Sequence, residues 1–171
     1  MQVSEHFSFD EFVSDADTIP DGVLEKVKAL CQDLLEPIRA HWNKPLQIDS
    51  GYRSQRHNAI VGGDPHSFHL YLADQAAADF VIPSIALSAV FDWIRLESHL
   101  PFDKVILERA KGRIDDQGAC IHVQIQTHPR RLALIGNTHG QGAYQQVEVV
   151  YGITSPLRLF PLAPKVYIPS R

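Results

Sequence analysis

Long hydrophobic runs are missing from this chain. No uninterrupted apolar stretch approaches the ~18 residues that a membrane-spanning helix needs, so no membrane partner is expected. Cysteine is scarce: the two present, Cys31 and Cys120, cannot form a disulfide scaffold and read as reduced thiols. An excess of basic charge is also absent. The 16 Lys and Arg stand against 20 Asp and Glu, a formal net charge of −4, which argues against nucleic acid as a partner. The opening residues MQVSEHFSFDEF hold no basic segment followed by an apolar core. No secretory signal is read there, and a cytoplasmic location at synthesis is expected. What is present is a 171-residue chain, 44% hydrophobic and 21% charged, with the composition of a soluble globular domain. Nine histidines is a high count and the first sign of specific chemistry.

Apolar periodicity predicts a helix from Val23 to about Trp42, through Val27, Leu30, Leu34 and Ile38, with a kink or early end at Pro37. A second helix is predicted from Ser84 to Ser98. Short helices are predicted over Ser8–Phe12, where Ser8 and Glu11 form a capping-box pattern, and over Ser54–Ile60. Strands are predicted at Leu46–Asp49, Ala76–Ile82, Lys104–Glu108, Cys120–Gln126, Leu132–Ile135 and Tyr144–Val150, the last two joined by a Gly-rich turn at Asn137–Gly142. Helices first and strands later imply an α+β fold with a central, mainly antiparallel sheet flanked by helices. One domain is expected over 1–150, followed by an extended Pro-rich tail over 151–171. Pro156 to Arg171 holds four of the eleven prolines, too many for a helix or central strand, and is too apolar for a solvated linker. It is expected to pack as an arm on its own domain or on a partner.

Two polar residues interrupt otherwise apolar strands: Asp79 within Ala76–Ile82, and His122 within Cys120–Ile125. Burying either is costly unless it is paired or coordinated. Taken singly, a strand histidine is ordinarily satisfied or half-exposed, and Asp79 could cap the helix after it or form a salt bridge. Together with His66, His69 and Asp74 they offer the His and carboxylate donors that a zinc site draws on. A hairpin turn over Asp115–Gly118 would place Glu108 opposite Gln124 or Ile125, or nearer His122 if the turn is looser. Asp115 and Asp116 read as turn residues.

Three segments occur in order: Ser50-Gly51-Tyr52-Arg53-Ser54, Val61-Gly62-Gly63-Asp64-Pro65-His66-Ser67-Phe68-His69-Leu70, and Ala77-Ala78-Asp79-Phe80. With Phe7–Phe12, Leu100–Glu108 and Ile121-His122-Val123, they resemble the zinc D-alanyl-D-alanine carboxypeptidase and L-alanyl-D-glutamate endopeptidase family. These are the VanX-like, hedgehog-fold (LAS) metallopeptidases, and the resemblance spans roughly residues 7 to 140. It implies a hedgehog/DD-peptidase-like fold. It implies Zn2+ held by His69, Asp79 and His122, with zinc-bound water attacking and Glu108 as its general base. Arg53 would serve catalysis and bind the substrate carboxylate or the carbonyl beside the scissile bond. Ser67 would support the site or touch substrate.

The implied substrate is a peptidoglycan stem peptide. The pattern departs from the family in two places. Nine residues separate His69 from Asp79, Tyr71-Leu72-Ala73 reads as an insertion and Gln75 replaces a glycine, which leaves Asp74 as the alternative carboxylate ligand. Ala119 stands where some relatives have a glutamate, so Glu108 is the base the resemblance supports. A second reading is a non-catalytic structural or binding component of a phage virion on the same fold, docking phage structural proteins through its C-terminal tail. Either reading allows a later location in a virion or at the cell wall.

Overall fold

In the computed structural model, residues 1–14, 18–110, 113–137 and 144–149 are described. The tail over 151–171, Val150 and most of the Asn137–Gly142 turn lie outside them, as do Lys111 and Gly112. Among the described residues no helix is long and apolar enough to cross a membrane.

The architecture is α+β, as the order of elements predicts. Helices α1 (Val23–Leu30), α2 (Glu36–Trp42), α3 (Gln55–Ile60) and α4 (Leu87–Leu96) accompany strands β1 (Gln47–Ser50), β2 (Ala76–Val81), β3 (Lys104–Arg109), β4 (Cys120–Ile125), β5 (Leu132–Asn137) and β6 (Gln145–Val147). The six strands form one sheet in the order β1-β2-β4-β3-β5-β6, in which only β3 and β5 run parallel.

Period-2 alternation divides the sheet into two different faces. Ala76, Ala78, Phe80, Val105, Leu107, Ile121, Val123 and Ala133 join the main hydrophobic core with Val27, Leu30, Leu34 and Ile38 from the helices. Full burial of a large apolar side chain such as Phe80 or Leu107 contributes about 1.5–3 kcal/mol. The opposite face carries Asp79, His122, Gln124 and Glu108. Helices thus support the sheet from behind and leave its other side for chemistry.

The first helical stretch does not end early at Pro37. A π turn over Cys31–Leu35 joins α1 to α2, and Pro37 falls in the first turn of α2, where a missing N–H is tolerated. Helix α4 starts later than its apolar pattern suggests. Ser84 adopts a φ of 69°, the Ile85 N–H closes a turn on the Ile82 carbonyl, and the helix begins only at Leu87.

The β3–β4 connection corrects the expected register. Glu108 pairs with Cys120, not with Gln124 or Ile125. Asp116 is drawn away from the hairpin to the start of α4, where its Oδ2 accepts from the Ser88 backbone N–H at 3.1 Å. The loop therefore centres nearer Ile114, and β4 slides relative to β3.

The N-terminal segment packs against the chain just past the end of β1. Phe7 and Phe12 are buried edge-to-face, and the Tyr52 N–H donates to the Phe12 carbonyl at 2.7 Å. Gly51 makes this approach possible, since a Cβ there would lie 2.5 Å from the Phe12 carbonyl oxygen.

Candidate metal centre

Asp79 lies on β2 between two neighbours, opposite Ser50 of β1 and His122 of β4. Directly opposed residues have Cβ atoms about 4.5–5.5 Å apart, so the register alone brings the carboxylate and the imidazole into reach. His69 arrives on a 3-10 turn over Phe68–Leu70. Ser67 caps this turn, its Oγ accepting from the His69 N–H at 3.3 Å. The Arg53 backbone N–H donates to the His69 carbonyl at 2.7 Å and ties the turn to the end of β1.

These elements bring donor atoms of His69, Asp79 and His122 within 4.8 Å of one another. His69 Nε2 is 3.3 Å from His122 Nδ1 and 3.3 Å from Asp79 Oδ2, while His122 Nδ1 is 2.8 Å from Asp79 Oδ1. All three residues are buried.

The partners on the far side of each ring assign its hydrogen. His69 Nδ1 lies 2.7 Å from the Gly51 carbonyl, which only accepts, so Nδ1 carries the hydrogen and Nε2 faces the cluster. Gln124 donates its Nε2 to Asp103, which turns its Oε1 toward His122 Nε2 at 3.0 Å. His122 therefore keeps a hydrogen on Nε2, and Nδ1 is the atom left for a cation. Two inward nitrogens and a carboxylate at these separations require something positive among them, a proton or a metal. Nitrogen and oxygen donors with outer hydrogen bonds fixing both rings fit a zinc ion.

The electrostatics agree. Burial alone would raise the Asp79 carboxyl, but the His69 and His122 imidazoles outweigh it and hold it well below the usual carboxylate range. Arg53 Nη2 adds an ion pair to Asp79 Oδ2 at 3.0 Å, and its Nε donates to Ser50 Oγ at 2.8 Å. Glu108 sits one same-face pair from His122, a diagonal that typically spans about 7–8 Å. Burial raises its carboxyl above the ordinary glutamate value, against the pull of His122 and with the push of Asp79.

Between His69 and Asp79 the chain bulges through the exposed residues Leu72, Ala73 and Asp74. Tyr71 and Ala73 take φ values of 50° and 47°, and the Tyr71 hydroxyl donates to the Ala77 carbonyl at 2.9 Å. Lys26 Nζ donates to the Tyr71 carbonyl. The loop is absorbed before β2 begins, and Asp79 faces the histidines. Asp74 lies apart from that group, exposed, with its Oδ2 accepting from the Thr127 N–H at 2.8 Å. His66 is exposed too.

Several contributors escape a reading for metal ligands. The Gly51 carbonyl orients His69. Gln124 alternates with His122 on one strand face, a polar i, i+2 pair that could have drawn notice. The Tyr144 hydroxyl donates to Glu108 Oε1 at 3.4 Å. Its ring lies over Gly136, where a Cβ would come within 2.2 Å of it.

A family model described as Peptidase M15 matches residues 5–109. No curated protein matches the chain.

Proposed function

The chain belongs to the Peptidase M15 family, and on that footing we propose that it hydrolyses peptide bonds in peptidoglycan stem peptides, as a D,D-carboxypeptidase or an L-Ala-D-Glu-type endopeptidase. The observation that carries this reading is the meeting of His69, Asp79 and His122 at one buried point, with a nitrogen of each ring turned inward.

Zinc held by these three residues would supply Lewis-acid polarisation of the scissile carbonyl and lower the pKa of a water molecule. Glu108, on the neighbouring strand and with a raised carboxyl, takes the proton of the attacking water and returns it to the leaving amine. Arg53 holds Asp79 in place and offers a planar guanidinium to a substrate carboxylate. Ser67 keeps the His69 turn in shape. Stem peptides are rich in carboxylates, which suits an arginine beside the candidate metal ligands.

Mass spectrometry of a peptidoglycan digest tests the proposal. Zinc-loaded wild type releases fragments whose masses identify the bond, and Glu108→Gln releases them at least about 100-fold more slowly. Equal product from both, or none from zinc-loaded wild type, contradicts it.

A further inference from the structure

We propose that Asp103 is a positioning residue for the metal centre: through Gln124 it keeps the hydrogen of His122 on Nε2, so that Nδ1 is the atom offered to the cation. This rests on the zinc-site reading above, but the hydrogen-bond chain that carries it stands without a metal.

Asp103 is fully buried just ahead of β3. Its Oδ2 accepts from Gln124 Nε2 at 2.5 Å and from Arg130 Nη2 at 2.6 Å. Its Oδ1 accepts from Gln126 Nε2 at 2.7 Å, from the Arg130 backbone N–H at 2.7 Å and from Arg130 Nε at 3.0 Å. A buried carboxylate with this many donors is fully committed, and an ionised carboxylate can only accept.

That one-way character gives the chain its direction. A glutamine amide can present either end to a neighbour. Beside Asp103 only its NH2 end is favourable, so its oxygen must face His122 Nε2 at 3.0 Å. The backbone locks the same pair, with the Asp103 N–H donating to the Gln124 carbonyl at 2.8 Å. Arg130 also reaches the other histidine's segment. Its guanidinium carbon lies 5.7 Å from the ring centre of Phe68, the residue before His69. One ion pair thus braces the elements that carry both histidines.

The alternative is that Asp103 only ties the 126–131 loop to the sheet. That role would affect stability but not the His122 ring. The test uses full-length protein with 15N-labelled histidine, as wild type, Gln124→Leu and Asp103→Asn. The His122 Nε2–H resonance and its exchange rate are read by NMR, with and without zinc, and zinc affinity is read by competition with a chelating dye. Wild type is expected to show a slowly exchanging Nε2–H with and without metal. Gln124→Leu should lose that protection and weaken zinc binding by about 10–100-fold, with one zinc still bound per chain. Asp103→Asn should show a loss of protection in part, because its amide no longer dictates which way Gln124 turns.

A wild-type His122 without a protected Nε2–H overturns the proposal. So does a folded Gln124→Leu variant with unchanged ring signal and zinc affinity. If Gln124→Leu does not fold by circular dichroism, wild type and Asp103→Asn decide. A wild type that binds no zinc refutes the zinc reading, while the ring signal in metal-free protein still decides the role of Asp103.

Discussion

Replacing Asp79 by asparagine separates a metal ligand from a residue that only holds the fold together. The side-chain volume is unchanged, but one carboxylate oxygen becomes an NH2. In the wild type, Oδ2 takes Arg53 Nη2 at 3.0 Å and Oδ1 sits 2.8 Å from His122 Nδ1. The asparagine settles with its oxygen toward Arg53, because an NH2 there would face a cation. Its NH2 then donates to His122 Nδ1 and occupies the lone pair a metal needs. The metal-free variant keeps most of its hydrogen bonds and loses about 1–3 kcal/mol of charge-assisted strength. Its metal site loses both its negative charge and an open nitrogen. At zinc concentrations 100-fold above Kd, binding adds about 2.7 kcal/mol to wild-type stability. For a chain of this size that is a rise of about 5–11 °C in Tm, reversed by a chelator. Differential scanning calorimetry with and without zinc reads the increment, which should vanish in Asp79→Asn. An increment retained in full by the variant refutes the assignment of Asp79 as a ligand.

Three further outcomes follow from the same geometry. Glu108→Gln should lower kcat by about 10²–10⁴-fold while zinc content, read by atomic absorption, stays at the wild-type value. Gly51→Ala should destabilise the fold by about 1–3 kcal/mol in urea unfolding, because its Cβ would sit 2.5 Å from the Phe12 carbonyl oxygen. It should also weaken zinc binding, since the Gly51 carbonyl holds His69 Nδ1. Burial alone would raise the Asp103 carboxyl, but the hydrogen bonds from Arg130 and Gln124 outweigh it and lower it below the ordinary aspartate value. Its contribution to stability is therefore complete above the unfolded value, ~3.9, and is lost as pH falls through the lower folded value. Unfolding free energies of wild type and Asp103→Asn should converge on acidification below about pH 4, and a gap that widens instead contradicts the assignment.

Much of the fold was legible because local pattern and global fold agree. The apolar spacing from Val23 to Ile38 marks a buried helix stripe, and all five of its anchor residues are buried. The polar breaks at Asp79 and His122 marked the face of the sheet where they meet. Register was less legible. Turn composition pointed to Asp115–Gly118, but Asp116 serves the start of α4, a tertiary contact no local pattern reveals. The bulge that restores Asp79 to its place depends on left-handed backbone at Tyr71 and Ala73, residues that carry no glycine signal. Asp103 and Gln124 are ordinary polar residues along the chain, and only the fold puts them in line behind His122.

Diffraction at the zinc absorption edge, from crystals grown with stoichiometric zinc, tests the metal centre most directly. One anomalous peak is expected about 2.0–2.2 Å from His69 Nε2, His122 Nδ1 and an Asp79 carboxylate oxygen, with a fourth position open. A strong peak elsewhere on the chain, with these three side chains unchanged and uncoordinated, would contradict it.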